Sequence, residues 1–327
     1  MRFATATYGD PILQATHLSL DTVNNETESP SFFATTRKRI SHHVQIPEND
    51  IIRFDVDYHG TDRQHLHHII ALDHAKKAVV LAIRGTFSLR DLVVDATAYT
   101  RPFAGGEAHH KMVDMAERTW EVAGPYVVNA LQQNKDYSLT LTGHSLGAGV
   151  ACLVSILCHQ RGRKRVLGRN VQCFAYGCPP VFTSPELVPD AVKHTTAYIH
   201  GNDGIPFLSL SHVRRLVSKL QWMMEEMSSP TKLPLQNAFK ALKRIGIVYP
   251  NTMNTVIPIP GSPILFVPAC TIVWTKKVDN GKFDAKFCDP RKVAGLEIPL
   301  SANYLNDHSL TSYEGALQYL EKNPESF

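Results

Sequence analysis

A serine that attacks a carbonyl needs a turn that lifts its hydroxyl clear, a base within reach and a group that orients the base. One stretch supplies the first of these. In Ser138-Leu-Thr-Leu-Thr-Gly-His-Ser-Leu-Gly-Ala-Gly149, the residues Gly143, Ser145 and Gly147 have the G-x-S-x-G spacing of a nucleophile elbow. The spacing has a steric reason. A serine on so tight a strand-to-helix turn has a strained backbone, and bulky side chains two positions to either side would collide. The turn also aims the next backbone N–H, that of Leu146, at a developing oxyanion. A Gly-rich turn without chemistry has the same spacing, so the flanks decide. Tyr137 to Leu141 alternate with β-forming residues, and Ala148 to His159 are almost wholly apolar and helix-compatible.

Elbow serines are followed in the chain first by an acid and then by a histidine. Asp203, in His200-Gly-Asn-Asp-Gly-Ile-Pro206, follows a strand-like run and is the preferred acid. Asp190, among prolines, is the competitor, and a plain turn-forming role for Asp203 stays open. His308, in Asn306-Asp-His-Ser309 before a final amphipathic run, is the preferred base, with His212 the other histidine after Asp203. A second oxyanion donor is expected from Arg84-Gly-Thr-Phe-Ser88. Gly85 permits close approach and the Thr86 N–H would donate, an interaction whose loss typically costs about 3–4 kcal/mol.

These residues need a scaffold that delivers them to one edge. His67–Asp73 and Lys77–Arg84 read as two strands of a hairpin, the second continuously apolar and so buried on both faces. A helical pattern runs from His109 to Gln132, with a break or kink expected at Gly124-Pro125. After the elbow come strand-like runs at 171–177 and 193–200. The alternation predicts an α/β doubly wound sheet, and Ser145 and Asp203 both fall just past strand ends, where ligands sit in such sheets. A helix over 31–44 is also expected.

The 327 residues are 43% hydrophobic and 20% charged, with a net charge of +4, an ordinary globular composition. The N-terminus has no continuous apolar leader, and there is no 18-residue apolar run. The six cysteines show no disulfide framework. Free thiols and a cytoplasmic location, with peripheral membrane contact, are expected. The paired histidines at 42–43, 67–68 and 109–110 have no completing Cys, Asp or Glu at zinc-like spacing, so no metal is expected. Arg161-Gly-Arg-Lys-Arg165 lacks interleaved aromatics and reads as a solvated loop, not a nucleic-acid site. No phosphate-cradling glycine loop and no cofactor are indicated.

Taken together, Arg84-Gly-Thr86 with Asp95 downstream, Gly143-His-Ser-Leu-Gly147, Asp203-Gly-Ile-Pro206 and Asp307-His308 with Tyr313 resemble the class 3 lipases. Within that group, Arg84-Gly-Thr-Phe-Ser-Leu-Arg-Asp91 and Phe174-Ala-Tyr-Gly-Cys-Pro-Pro180 look most like the sn-1-specific diacylglycerol lipase branch. The resemblance covers about residues 60–320. It implies an α/β-hydrolase fold, with a mostly parallel central sheet flanked by helices and a helical insert between the Asp and His motifs. It implies a Ser145-Asp203-His308 triad, oxyanion donors at Thr86 and Leu146, and a structural role for Asp95 toward the oxyanion loop. The expected reaction is ester hydrolysis of mono- and diacylglycerols. Phospholipase A1 or soluble carboxylesterase activity is the alternative, and a non-catalytic lipid-binding protein the rival of another class.

One domain over 1–327 is expected, with 1–50 an N-terminal extension packed on or flanking the core. The segment 210–262 stands out. Between Ser211 and Ile245 there are seven Lys or Arg and two Glu. Apolar residues from Val213 to Met227 recur at helical spacing, and Trp222 lies among them. A basic amphipathic segment suits an anionic membrane or lipid-droplet surface, and a cap with a solvated basic face has the same pattern. Phe87–Phe103 is a second lid candidate, with Leu89, Leu92, Val93, Tyr99 and Phe103 as its apolar surface.

Overall fold

The one wholly apolar strand among the described residues, at 78–83, lies inside the sheet. A computed structural model describes residues 1–8, 32–55, 66–85, 99–209, 212, 264–278, 281–296, 298–299, 301 and 303–326. The chain opens with helices α1 (Arg2–Ala6) and α2 (Phe32–Val44), then strands β1 (Ile51–Asp55), β2 (His68–Asp73) and β3 (Ala78–Ile83). A small hairpin follows, β4 (Thr100–Phe103) and β5 (Gly106–His109), leading into helix α3 (His110–Gln133). Strand β6 (Ser138–His144), helix α4 (Leu146–Arg163), strand β7 (Val171–Tyr176), helix α5 (Pro189–Lys193) and strand β8 (Thr195–His200) continue the alternation. Strands β9 (Thr271–Lys277) and β10 (Phe283–Cys288) and helices α6 (Pro290–Ala294), α7 (Tyr304–Asp307) and α8 (Leu310–Lys322) complete it.

The main sheet has the order β1-β2-β3-β6-β7-β8-β9-β10. From β3 through β9 all neighbours are parallel, and antiparallel hairpins finish both edges. All six residues of β3 are buried, as a strand covered on both faces requires. Fully burying each of its larger aliphatics contributes about 1.5–3 kcal/mol relative to exposure.

Alternate residues of each strand feed opposite layers. Val79, Leu81 and Ile83 join Met112, Val113, Ala116 and Val127 of α3 and nearly the whole of α4 in the main core. Ala82, with Ile69 and Ala71 of β2, faces Ala6, Ile40 and Val44 of α1 and α2. Ala4 of α1 packs with Tyr176 and with Tyr313 of α8, so α1, α2 and α8 share one layer. The sheet is therefore wound on both sides, a mostly parallel sheet between helical layers. Among the described residues no helix is long and apolar enough to cross a membrane.

Three expectations meet a different outcome or none. The helix α3 runs through Pro125 without a break. Gly124 eases this, because it has no Cβ to clash with the proline ring, and the Trp120 indole packs close over it. Phe103 is not lid surface. It is buried at the end of β4, edge-to-face with Phe182 in the main core, whereas Tyr99 is 76% exposed. Residues 87–98 of that candidate, and the 210–262 insert apart from Ser209's neighbour His212, lie outside the described residues.

Candidate active site

The parallel register brings Gly143 of β6 level with Ile83 of β3. That places the elbow against the end of β3. A Cβ on Gly147 would overlap the Ile83 carbonyl, and one on Gly143 would overlap the Gly147 backbone. Both glycines are thus required by the strand-to-helix crossing itself. Between them Ser145 adopts φ 59° and ψ −129°, a conformation that L-residues avoid. Its N–H donates to the Tyr176 carbonyl at 2.9 Å, and its own carbonyl accepts from Ala148 and Gly149, which locks the turn at the start of α4. The Leu146 N–H is the first of that helix, among the amides that have no partner within it. The expected oxyanion donor at 146 therefore lies where a helix N-terminus offers one.

Asp203 and His308 meet although 105 positions separate them. His308 Nδ1 lies 2.9 Å from Asp203 Oδ2, with the carboxylate fully buried. Two further donors saturate that carboxylate. The Tyr313 hydroxyl donates to Oδ2 at 2.6 Å and the Ile205 N–H to Oδ1 at 2.8 Å. Burial, then the charge of Asp203 and the hydrogen bond to it, holds the Tyr313 hydroxyl well above its ordinary titration range, so it stays a donor. The ring of His308 stacks at 4.5 Å between centroids on that of His144, the residue before Ser145. Gly177, at φ 56°, closes the other side. A Cβ there would come within 3.0 Å of Asp203 Oδ2 and of the His308 ring.

The competing residues are occupied elsewhere. Asp190 opens α5, and its carbonyl accepts from His194 Nδ1. His212 is buried, with Nδ1 2.6 Å from Ser209 Oγ and Nε2 donating to the Ala294 carbonyl. Thr86 and Asp95 lie outside the described residues. Gly85 is described, and its N–H donates to the Tyr8 hydroxyl at 3.2 Å. A Cβ at Gly85 would come within 2.6 Å of the His144 carbonyl and 3.2 Å of Ser145 Cβ, so this strand end does approach the serine closely.

Two supporting residues carry no local signal for their roles. Asp307 Oδ2 accepts from the Asn202 N–H at 2.8 Å and packs against Gly201, at φ 53°, which pins the loop that carries Asp203. His144 donates from Nε2 to the His308 carbonyl at 2.9 Å. Burial first, then the nearby His308, pushes the His144 imidazole well below its ordinary range, outweighing the hydrogen bond to the His308 carbonyl. A histidine depressed in the fold binds its proton more readily when unfolded. Stability is then full above about pH 6.5 and falls as pH drops below it, by up to about 1.4 kcal/mol per pH unit for one such group. His144→Phe is expected to flatten the loss of unfolding free energy between pH 6.5 and 5 in denaturant titrations. A slope unchanged by the substitution would show that His144 does not carry it.

The residues at 42–43, 67–68 and 109–110 do not converge. Among the described residues no group of three His, Cys, Asp or Glu side chains is arranged to hold a metal ion. All six cysteines are free thiols.

A serine on a strand-to-helix elbow at the carboxyl edge of a mostly parallel, doubly wound sheet, with an Asp-His pair delivered from later loops, defines an α/β-hydrolase. Residues 80–212 match the family model described as class 3 lipase. The chain is 28% identical over 196 residues to human diacylglycerol lipase-alpha, covering 54% of this chain and 18% of that protein. It is 32% identical over 153 residues to the secreted mono- and diacylglycerol lipase A of Penicillium cyclopium, covering 43% of this chain and 46% of the relative. A crystal structure of mutant MDLA from Penicillium cyclopium superposes with a TM-score of 0.51 at 19% identity, over 93% of this chain and 90% of that one, a likeness of fold. The chain thus spans under a fifth of the diacylglycerol lipase-alpha it matches.

Proposed function

We propose that the chain hydrolyses carboxylic esters of glycerolipids, with mono- and diacylglycerols as substrates, through an acyl-enzyme on Ser145. The observation that carries this reading is the His308-to-Asp203 hydrogen bond beside the strained Ser145 elbow. Ser145 Oγ attacks the acyl carbon while His308 Nε2 takes its proton. Asp203 holds the Nδ1–H tautomer and offsets the imidazolium charge. The Leu146 N–H, with Thr86 as the expected second donor, stabilises the tetrahedral oxyanion. The intermediate collapses, the glycerol oxygen leaves with the proton from His308, and water releases the acid by the same steps in reverse order.

The relatives support the substrate class, since their names are those of mono- and diacylglycerol lipases. A bilayer or droplet surface is the expected meeting place, reached through the basic 210–262 segment. A fluorophosphonate probe is expected to label Ser145 stoichiometrically, and diacylglycerol in mixed micelles to be cleaved faster than triacylglycerol or phosphatidylcholine. Preference for the phospholipid would make the chain a phospholipase A1. Turnover of monomeric esters alone would make it a carboxylesterase. Absence of labelling would sink the hydrolase reading altogether.

A further inference from the structure

Tyr8 stands just after α1, far in sequence from the elbow, yet it is 3% exposed and meets the elbow directly. Its hydroxyl accepts from the Gly85 N–H at 3.2 Å and lies 3.3 Å from His144 Nδ1. The other side of the His144 ring fixes the direction of that contact. Nε2 lies 2.9 Å from the His308 carbonyl oxygen, and a carbonyl only accepts, so the ring hydrogen is on Nε2. A neutral imidazole then has a bare Nδ1, which accepts from the Tyr8 O–H. Burial keeps both groups in these states, depressing the imidazole and raising the phenol.

The result is one directed chain: Gly85 N–H to Tyr8 oxygen, Tyr8 O–H to His144 Nδ1, His144 Nε2–H to the His308 carbonyl. Its first link is the end of β3, where the oxyanion loop begins. Its middle is the residue before Ser145, and its last link is the backbone of the base. No other side chain is needed to connect the three. The same segment has a second anchor. Thr5 Oγ1 donates to Glu314 Oε2 at 2.8 Å in a buried pair, and Glu314 follows Tyr313, the donor to Asp203.

We propose that Tyr8 is a positioning residue of the active site: its hydroxyl holds the His144 ring by Nδ1 and, through that ring, sets the backbone of His308 against the strand end at Gly85. The proposal rests on the hydrolase reading of the site. Removing the hydroxyl alone leaves the Gly85 N–H and His144 Nδ1 without their buried partner. The ring keeps its Nε2–H, which the His308 carbonyl still requires, but loses the contact at Nδ1 that holds its position, so its hold on the His308 backbone loosens. Substrate binding does not involve this chain, so the effect should fall on kcat.

The test is a double-mutant cycle on a soluble short-chain aryl ester, which needs no lipid surface. Wild type, Tyr8→Phe, His144→Phe and the double variant are compared in kcat, KM and melting temperature. The imidazole ¹⁵N shifts of His144 are recorded in wild type and in Tyr8→Phe. Phe keeps each ring in place while removing the polar atoms. Tyr8→Phe is expected to lower kcat by about ten- to a hundredfold, the scale of a small misplacement of reacting groups, with KM unchanged. Once His144 is Phe, adding Tyr8→Phe should change kcat less than twofold, because the path from Tyr8 to His308 is already cut. The nitrogen shifts should report the Nε2–H tautomer in wild type, and the Nδ1 signal should move in Tyr8→Phe as that atom loses its donor.

A Tyr8→Phe enzyme within twofold of wild type, or effects of the two substitutions that simply multiply, would overturn the proposal while hydrolysis stands. An Nδ1–H tautomer in wild type would overturn it even if Tyr8→Phe failed to fold. If wild type itself left the aryl ester untouched and resisted fluorophosphonate, the hydrolase reading would fall, and the nitrogen shifts would still decide the hydrogen-bond chain.

Discussion

Ser145→Ala and Ser145→Gly are both expected to abolish turnover, with a loss of about 10⁶ in kcat, while the Gly variant unfolds at higher denaturant than the Ala variant. The first half follows from losing the nucleophile. The second follows from the backbone. At φ 59° and ψ −129° residue 145 occupies a region open to glycine and costly for any residue with a Cβ, by about 1–3 kcal/mol. Ala keeps the Cβ and so keeps the strain. Gly releases it but adds about 0.5–1 kcal/mol of unfolded-chain entropy. The strain term is the larger, leaving the Gly variant ahead by about 1 kcal/mol. The elbow holds its shape in both, since the hydrogen bonds from residue 145 to Tyr176, Ala148 and Gly149 are all backbone. Urea titration of the two inactive variants reads the difference. An Ala variant as stable as the Gly variant would show that the turn stores no more strain than the entropy a glycine adds, about 0.5–1 kcal/mol.

The sheet centre was legible in the sequence because its signals are local. The all-apolar run of β3 and the β6-turn-α4 unit state their burial within a dozen residues. The β4–β5 hairpin was not legible. Its strands have four residues each, one carries Pro102, and its turn uses Ala104 at φ 50°, which no turn signature marks. The β9–β10 hairpin had a usable signal, since Thr271-Ile-Val-Trp-Thr275 is rich in β-formers and an Asn280-Gly281 pair follows. The expected insert at 210–262 accounts for only part of the Asp203-to-His308 span. Two strands of that span complete the sheet edge. Pro125 misled in the opposite direction, because the glycine before it has no Cβ to clash with the proline ring and the helix continues.

At the site, chain order and strand ends were enough to nominate Ser145, Asp203 and His308 as the proposed triad. Their support was not legible, because it lies in contacts across the fold. Tyr313 was visible only as part of a motif, without its bond to Asp203. Asp307 has no pattern that announces a bond to the Asn202 amide. Tyr8 reaches His144 across 136 positions, and no spacing rule connects them. Second-layer geometry of this kind is set by which side chains the layers press together. Sequence order fixes the members of a triad far better than the groups that hold it still.

Asp203→Asn is expected to lower kcat by about 10⁴, as removal of the orienting carboxylate does in other triads, and the structure shows why the amide has no good orientation. Three donors converge on the carboxylate: His308 Nδ1–H and the Tyr313 O–H on Oδ2, and the Ile205 N–H on Oδ1. An asparagine offers one acceptor and one NH₂. With its oxygen in the Oδ2 position, the NH₂ faces the Ile205 amide, and a backbone N–H cannot become an acceptor. Two opposed donors in a fully buried place cost about 1–3 kcal/mol. With the oxygen in the Oδ1 position, Ile205 is satisfied and Tyr313 can rotate its hydroxyl to accept. The NH₂ then faces His308 Nδ1, which must give up its hydrogen, and the proton moves to Nε2, the atom that has to receive the proton of Ser145. The backbone amide of Ile205 therefore selects the inactive tautomer. The variant should fold, bind substrate with near-normal KM and show a ¹⁵N signature of Nε2-protonated His308. A kcat within tenfold of wild type would remove Asp203 from the triad and return the search to another carboxylate.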